Sequence, residues 1–340
     1  MSAVVEAAAR LRAARDRARD WLLGQFDADG KPVDSELGNG WSRFPWTFAL
    51  LGETAAGHAV LEWASRNGLG DNGDFSAGPS YGAGRFSAYP LGHLAMGAVL
   101  LERHDVAARL VARLEALQNP TNGGMPIDPP GGAYAEWTDL LSSAQAGMVA
   151  LLAGRMDMAT PIRDWIVTSL DEQPDWPRVH YTARSPGGLV TEPPAELAWV
   201  MAVDFAKPRQ AYFYPGIGAA FLALYAMRTG DRAALAAGHR YLEANLQGHQ
   251  AQFDDLESVQ ACKFAWGAAL MQIADPEVDY SETLVRMADW FIARQGEDGS
   301  WAPSRFISPQ PTRVEQMTKT AEHAMEVTAL LAAMAVITSR

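Results

Sequence analysis

The sequence predicts an all-α protein in which six inner helices stand inside a ring of six outer ones. Three observations carry this expectation. Apolar residues recur with a period near 3.6 along most of the chain, which is the signature of helices. Segments that are apolar nearly all round alternate with segments that keep one polar face, and only the former need burial on every side. A cadence of helix, polar turn, glycine and large residue also recurs, as DWLLGQFDADGKPV (20–33), WASRNGLGDNGDF (63–75), LEALQNPTNGGMP (114–126) and LVRMADWFIARQGEDGSW (284–301). Such repetition marks stacked helical hairpins. No linker divides the chain, so residues 1–340 are read as a single domain.

In order, the amphipathic segment 3–25 opens the chain and stops at FDADG. Residues 46–51 form a short apolar helix and 54–67 a more polar one. The stretch DNGDFSAGPSYGAGRFSA (71–88) is too long for a plain connector and is expected to cap or to function. Residues 91–102 are apolar and 105–117 amphipathic, before the Gly/Pro loop 119–137. Residues 139–152 are apolar; 161–170 are amphipathic, with Pro161 placed as a first-turn proline. Within the Pro/Gly-rich stretch 171–194, VHYTAR reads as a short hairpin, and 196–203 as a brief helix. Three more pairs complete the count: 217–228 with 232–246, 257–273 with 282–295, and 314–338, the last inner helix, with 3–25. Strict alternation of this kind describes a closed ring.

Composition narrows the function. The net charge of −12 opposes nucleic acid and anionic membrane surfaces. No run of about 18 apolar residues is evident, so no membrane span is expected. A single cysteine, Cys262, excludes a disulfide framework and a Cys-rich zinc site, and suits a reducing cytoplasm. The N-terminal segment lacks the continuous apolar core of a signal peptide. Eleven Trp and nine Tyr are enough to line a pocket as well as fill a core.

The turns QGEDGSW (295–301) and QNPTNGGMP (118–126) resemble the Gln…Gly…Trp turns of the α/α-toroid superfamily, which holds terpenoid cyclases, protein prenyltransferase β subunits and related six-hairpin proteins. The resemblance implies an (α/α)6 toroid with its site in the central cavity, at the N-terminal ends of the inner helices. It also implies where to look for chemistry. Trp41, Arg43 and Trp46 precede or open the first inner helix; Tyr81, Arg85, Tyr89 and His93 the second; Glu136, Asp139, Ser142 and Ser143 the third. Tyr212 and Tyr214 precede the fourth, Asp254, Asp255, Glu257 and Lys263 belong to the fifth, and Arg313, Glu315, Lys319, Glu322 and His323 to the sixth.

Lys263 is the sharpest of these, because it sits in the apolar run VQACKFAWGAALM. A buried ammonium must lose its charge or find a carboxylate. It reads as a general base, a Schiff-base amine or an anchor for a substrate carboxylate, and otherwise as one half of a structural ion pair with Asp139 or Glu322. His323 and His93 read as acid/base groups or as core histidines, and Asp139 as an N-cap at the cavity mouth. Asp254–Asp255 fails the metal-binding DDxxD pattern because Ser258 stands where an acid is needed, and the DxDD acid motif is absent. Prenyltransferase β subunits hold zinc through Asp, Cys and His; Cys262 and His323 fall in comparable helices, but Gln260 replaces the aspartate. No metal and no cofactor are therefore expected.

The expected function is a cytoplasmic enzyme doing acid/base chemistry, as a cyclase, isomerase or lyase, on a small, largely apolar, terpenoid-like molecule. Asp139, Lys263, Glu322 and His323 are the expected catalytic groups. Trp41, Arg43, Trp46, Tyr89, His93, Tyr214 and Asp255 are expected to bind the substrate, with Trp41, Trp46 and Tyr214 able to stabilise cationic character. A six-hairpin glycoside hydrolase or polysaccharide lyase would instead use paired carboxylates, Asp139 with Asp255 or Glu322. A non-catalytic toroid that binds a ligand or partner is the third reading.

Overall fold

A computed structural model of the chain describes residues 3–33, 40–76 and 85–340. The principal helices are α1 (Ala3–Leu23), α2 (Phe44–Leu51), α3 (Thr54–Asn67), α4 (Ala88–Leu100), α5 (His104–Leu117), α6 (Leu140–Leu152) and α7 (Met156–Asp171). After α8 (Ala198–Met201), a single turn, come α9 (Tyr214–Thr229) and α10 (Arg232–Gln247). A second single turn, α11 (Ala251–Asp254), leads to α12 (Cys262–Ala274), α13 (Ser281–Arg294) and α14 (Arg313–Thr338).

The apolar helices pack in the sequence α2, α4, α6, α9, α12, α14 and back to α2, so the inner ring is closed. Helices α3, α5, α7 and α10 lie outside α2, α4, α6 and α9; α13 backs α12 and α14, and α1 seals the seam against α13 and α14. The protein is an all-α (α/α)6 toroid. Buried faces follow the predicted periods: α5 hides Val106, Leu110, Val111, Leu114 and Leu117, whereas α4 is buried continuously from Ala88 to Ala98.

Two inner helices touch backbone to backbone. A Cβ on Gly216 of α9 would stand 2.0 Å from the Lys263 carbonyl oxygen, and one on Gly267 of α12 would stand 2.5 Å from the Gly216 oxygen. The first turn of α9 is thereby pressed onto the first turn of α12, which sets Tyr214 and Lys263 side by side.

The repeated turns are braces. Gln118 Nε2 donates to the carbonyls of Gly123 (2.8 Å) and Met158 (3.0 Å); Gln295 Nε2 donates to those of Ala14 (2.7 Å) and Gly299 (2.9 Å). Trp301 folds under its turn, its indole N–H on the Phe291 carbonyl at 2.9 Å. In four of these turns the glycine has positive φ and sits hard against the next outer helix: Gly30 on Ala59, Gly73 on Arg109, Gly123 on Pro161 and Gly299 on Arg17. Any Cβ there meets backbone atoms within 3 Å.

Several boundaries differ from expectation. Helix α7 begins at Met156, so Pro161 lies inside it, where it packs against Gly123 instead of starting the first turn. VHYTAR does not pair with itself. Its first half, β3 (Val179–Tyr181), pairs with β6 (Ala202–Asp204), and its second half contributes β4 (Ala183–Ser185). That strand joins a small antiparallel sheet in the order β1 (Met125–Pro126), β2 (Thr138–Asp139), β4, β5 (Gly188–Leu189). The fifth inner helix starts at Cys262, leaving Glu257 in the turn before it. Helix α14 is long and apolar enough to cross a membrane, contrary to the expectation of no such run, but 67% of its most apolar window is buried inside the ring.

Candidate functional site

A cavity of about 650 Å³ opens at the N-terminal ends of the inner helices. Its walls are largely apolar, with Phe86, Leu141, Leu197, Val200, Phe213 and Val314 among them. Exposure falls steeply from rim to floor. Trp199 and Ile307 at the rim are 57% and 48% exposed, whereas Arg43, Lys263 and Glu322 are buried.

The floor is an ion cluster assembled from three elements. Arg43 ends a 3-10 turn (Gly40–Arg43) that runs into α2, Lys263 is the second residue of α12, and Lys319 and Glu322 lie two turns into α14. Glu322 Oε1 forms an ion pair with Arg43 Nη1 at 3.0 Å and accepts from Lys263 Nζ; Oε2 accepts from Lys319 Nζ at 2.5 Å. One carboxylate therefore serves three cations. Burial alone would neutralise Glu322, but the fields of Arg43, Lys263 and Lys319 prevail and hold it well below the usual carboxylate range. Burial likewise opposes the charge on Lys263, and the Glu322 carboxylate beside it outweighs that cost, keeping its pKa well above that of a free lysine. Lys263 also faces the rings of Phe213 and Tyr89 at 5.2 and 5.9 Å.

Arg43 Nη2 donates to Tyr89 Oη (3.0 Å) and to His93 Nε2 (3.1 Å). An arginine cannot accept, so the network assigns His93 the Nδ1–H tautomer. Burial, with Arg43 adding to it, lowers the pKa of His93 well below normal, so this cavity-lining imidazole is neutral.

Asp139 caps α6, its Oδ2 accepting from the backbone N–H of Leu141 (2.7 Å) and Ser142 (3.2 Å). Its Oδ1 has no hydrogen-bond partner among the described residues. Burial pushes its pKa up to about 7, against the lowering effect of those donors. Asp139 lies behind the wall formed by Leu141 and Tyr214, and its charge, after burial, is the main cause that raises the Tyr214 phenol.

The structure thus brings Arg43, Tyr89, His93, Tyr214, Lys263 and Glu322 to one cavity and sets Asp139 one layer back. Four expected site residues lie elsewhere. Trp41 is packed edge-on against Trp63 and Phe75 beneath Gly68, and Trp46 lies between His93 and Trp266; both are core. Asp255 forms a surface pair with Arg209 at 3.1 Å. His323 turns away from Glu322 toward α13, ringed by Trp290, Phe291 and Trp301, with Nδ1 on Glu326 at 3.0 Å. Glu322 lines the cavity, whereas His323 is fully buried on the side of α14 that packs against those rings. Glu136 is exposed, Tyr212 donates to the Lys207 carbonyl, and Tyr81 lies outside the described residues.

Behind the floor, donor atoms of Cys262, His323 and Glu326 lie within 4.8 Å of one another, all buried. Nε2 of His323 and Oε1 of Glu326 lack hydrogen-bond partners among the described residues. A thiol, an imidazole and a carboxyl suit zinc, and these three residues would hold it. Burial raises the Cys262 thiol well above its usual range, so binding there would have to expel its proton.

No family description matches the sequence, and no curated protein matches it. Solved structures do match in fold. A type II terpene cyclase from Scytonema, bound to geranylgeranyl dihydroxybenzoate, superposes with a TM-score of 0.60 at 14% identity, covering 97% of this chain and 99% of the other. The α-1,6-mannanase of Salegentibacter sp. HEL1_6 gives 0.65 at 11% identity, covering 95% and 99%. A D-mannose isomerase gives 0.66 at 10% identity, covering 95% and 97%. All share the α/α toroid; one scaffold carries cyclisation, hydrolysis and isomerisation, so the fold leaves the reaction to be argued from the site.

Proposed function

We propose that the protein is an enzyme that moves a proton on a small, largely apolar molecule held in the cavity, as an isomerase or lyase whose intermediate carries negative charge. The observation behind this reading is the cation cluster. Arg43, Lys263 and Lys319 outnumber Glu322 at the floor. Such a field disfavours a carbocation and favours an enolate-like anion. The same count weakens the cyclase alternative; of the three rings expected to shelter a cation, Trp41 and Trp46 lie in the core and Tyr214 lines the cavity.

Roles follow from protonation state. Lys263 stays charged, which makes it an electrostatic stabiliser and not a base or a Schiff-base amine. Glu322, held well below its normal range, is a poor base and serves to gather the cations. Asp139, pushed up to about 7, exchanges its proton near neutrality, but it stands one layer behind the cavity, so it acts there through its charge on the cavity-lining Tyr214 and not by contact with the ligand. A glycosidase needs two carboxyl groups flanking one bond. Asp255 is on the surface and Glu322 is bound by three cations, so neither completes a pair with Asp139.

Hydrogen–deuterium exchange tests the reading. The protein is incubated in D2O with 3-enoic and 2-oxo carboxylic acids, and NMR follows label entering the carbon next to the carbonyl. Exchange by the wild type and its loss in Asp139→Asn is the expected result. Exchange at the wild-type rate in that variant removes Asp139 from the mechanism. Binding without exchange of any acid leaves the cavity as a receptor site.

A further inference from the structure

The cavity has a chemical gradient. Its deepest charged groups are three cations on one carboxylate, and its walls and rim are apolar up to Trp199 and Ile307. The other charged groups lining it are already engaged. Arg85 pairs with Asp128 at 3.3 Å, Glu315 is consumed by the capping box with Thr312, and Glu196 takes the Tyr134 hydroxyl at 2.7 Å. Among the described residues the floor itself thus sets three cations against one carboxylate, while Glu196 and Glu315 keep their negative charge at more exposed positions.

That surplus stands in a place that opposes it. Lys263 and Arg43 lie at the N-terminal ends of α12 and α2, where the helix macrodipole favours anions and repels cations. Taking them out of water opposes their charge further. A single glutamate does not use the donors available. The Lys263 and Lys319 ammonium groups each carry three N–H bonds, and among the described residues each donates only to Glu322. Both residues line the cavity.

We infer that the cavity is built for an amphiphilic anion, whose carboxylate or phosphate head docks on Lys263 and Lys319 and whose apolar body runs outward to Trp199 and Ile307. This deepens the proposed function and rests on its assignment of the cavity as the ligand site. The head brings the missing negative charge to the floor and takes the unused ammonium donors. The body covers Phe86, Leu197 and Val200 on its way to the rim. A neutral alcohol of equal length would bury the same apolar area but leave the surplus unanswered. Glu322 is a positioning residue in this arrangement, because it keeps the three cations together when the site is empty of ligand.

Calorimetric titration with decanoate, decyl phosphate, decan-1-ol and butanoate tests the inference without requiring turnover. One or both decyl anions are expected to bind about tenfold more tightly than decan-1-ol, the scale of one charged hydrogen bond. The tighter of the two identifies the head group. Butanoate is expected to bind more weakly than decanoate, and Trp199→Ala to narrow that gap. Lys319 is the part-exposed member of the cluster, so Lys319→Gln should fold, which a thermal melt verifies. It should erase most of the preference for the anion while leaving decan-1-ol unchanged, and Lys319→Arg should restore it. Equal binding of decan-1-ol and the anions, or a preference untouched by Lys319→Gln, overturns the inference while the cavity remains the ligand site. Failure of all four probes to bind overturns both.

Discussion

Glu322 and Glu326 stand one turn apart on α14, both buried, and hold opposite protonation states. Glu322 faces Arg43, Lys263 and Lys319 and is ionised. Glu326 faces His323; burial, with the negative charge of Glu322 added, pushes it up to about 8, so it is protonated at neutral pH. The same side chain on the same helix is thus a counter-ion at one position and a neutral hydrogen-bonding group at the next.

The contrast predicts unequal costs for one conservative change. Glu322→Gln leaves three cations, two of them buried, without their anion and should lose roughly 3–5 kcal/mol of stability. Glu326→Gln replaces a neutral acid by a neutral amide of similar shape and should lose less than about 1 kcal/mol at pH 7. Urea unfolding of the two variants at pH 7 measures both. Equal losses would mean that the two carboxyl groups share a protonation state.

Asp139 gives a pH dependence. Its folded pKa, near 7, lies above its ordinary value of 3.8. The unfolded chain releases this proton first, so the contribution to stability is complete below about pH 4, falls as pH rises, and levels off above the folded value. At about 1.4 kcal/mol per unit of separation the total change is roughly 4 kcal/mol. Asparagine caps helices as well as aspartate does. Asp139→Asn should therefore fold, flatten the stability profile between pH 4 and pH 7, and be the more stable protein at pH 8. Urea midpoints across that range test the sign, and a variant less stable than wild type at pH 8 would refute it.

The contact between α9 and α12 predicts a steric effect that reaches the site. Gly216→Ala drives a methyl into the Lys263 backbone and should cost about 3 kcal/mol or more. Gly230→Ala is the control: nothing lies within 4 Å of its Cβ, and only its φ of 75° resists, for about 1 kcal/mol. Ligand affinity should drop for the first and not for the second. The comparison fails if both variants bind alike after correction for the unfolded fraction.

Gln295 joins the last outer helix to the first. Gln295→Ala removes its donations to Ala14 and Gly299 and its contact with Arg17. The expected cost is about 1–3 kcal/mol, seen as faster amide exchange along α1 with ligand affinity unchanged. Unaltered protection in α1 would show that the apolar packing of that helix suffices.

The fold was legible because burial imposes periodicity on sequence. Helices such as α4 and α12 are apolar on every face, and α5 and α13 are not. Boundaries were less legible. Gly and Pro mark stops, but nothing local distinguishes the turn 256–261 from the helix after it, and Pro161 reads as a start although the helix precedes it. Within the site, Lys263 was visible as a charge in an apolar run. The pairing of Glu322 with Lys319 was visible too, at a spacing of three residues. The exclusion of His323 was not, because adjacent helical residues such as Cys262 and Lys263 both line the cavity, and only packing against Trp290, Phe291 and Trp301 turns His323 away. Trp199 and Ile307 carried no signal, because what makes them rim residues is the curvature of the ring. Trp41 and Trp46 misled for the converse reason: proximity to an inner-helix start places a backbone, and the rotamer decides which side of the ring it fills.

The glycine braces have a consequence for how the chain reaches this state. Gly30, Gly73 and Gly123 each press on an outer helix that follows within the next hairpin, so those joints form between segments made in succession. Gly299 presses on α1, and Gln295 bonds Ala14 across 281 residues of sequence. Helix α1 must therefore hold its apolar stripe of Val4, Ala7, Leu11, Ala14, Ala18 and Leu22 uncovered until the last hairpin exists. Loop entropy and contact order make that final joint the slow one. A ring synthesised from one end spends most of its synthesis with an adhesive edge, and α1 is the segment through which an unfinished chain would associate with its neighbours.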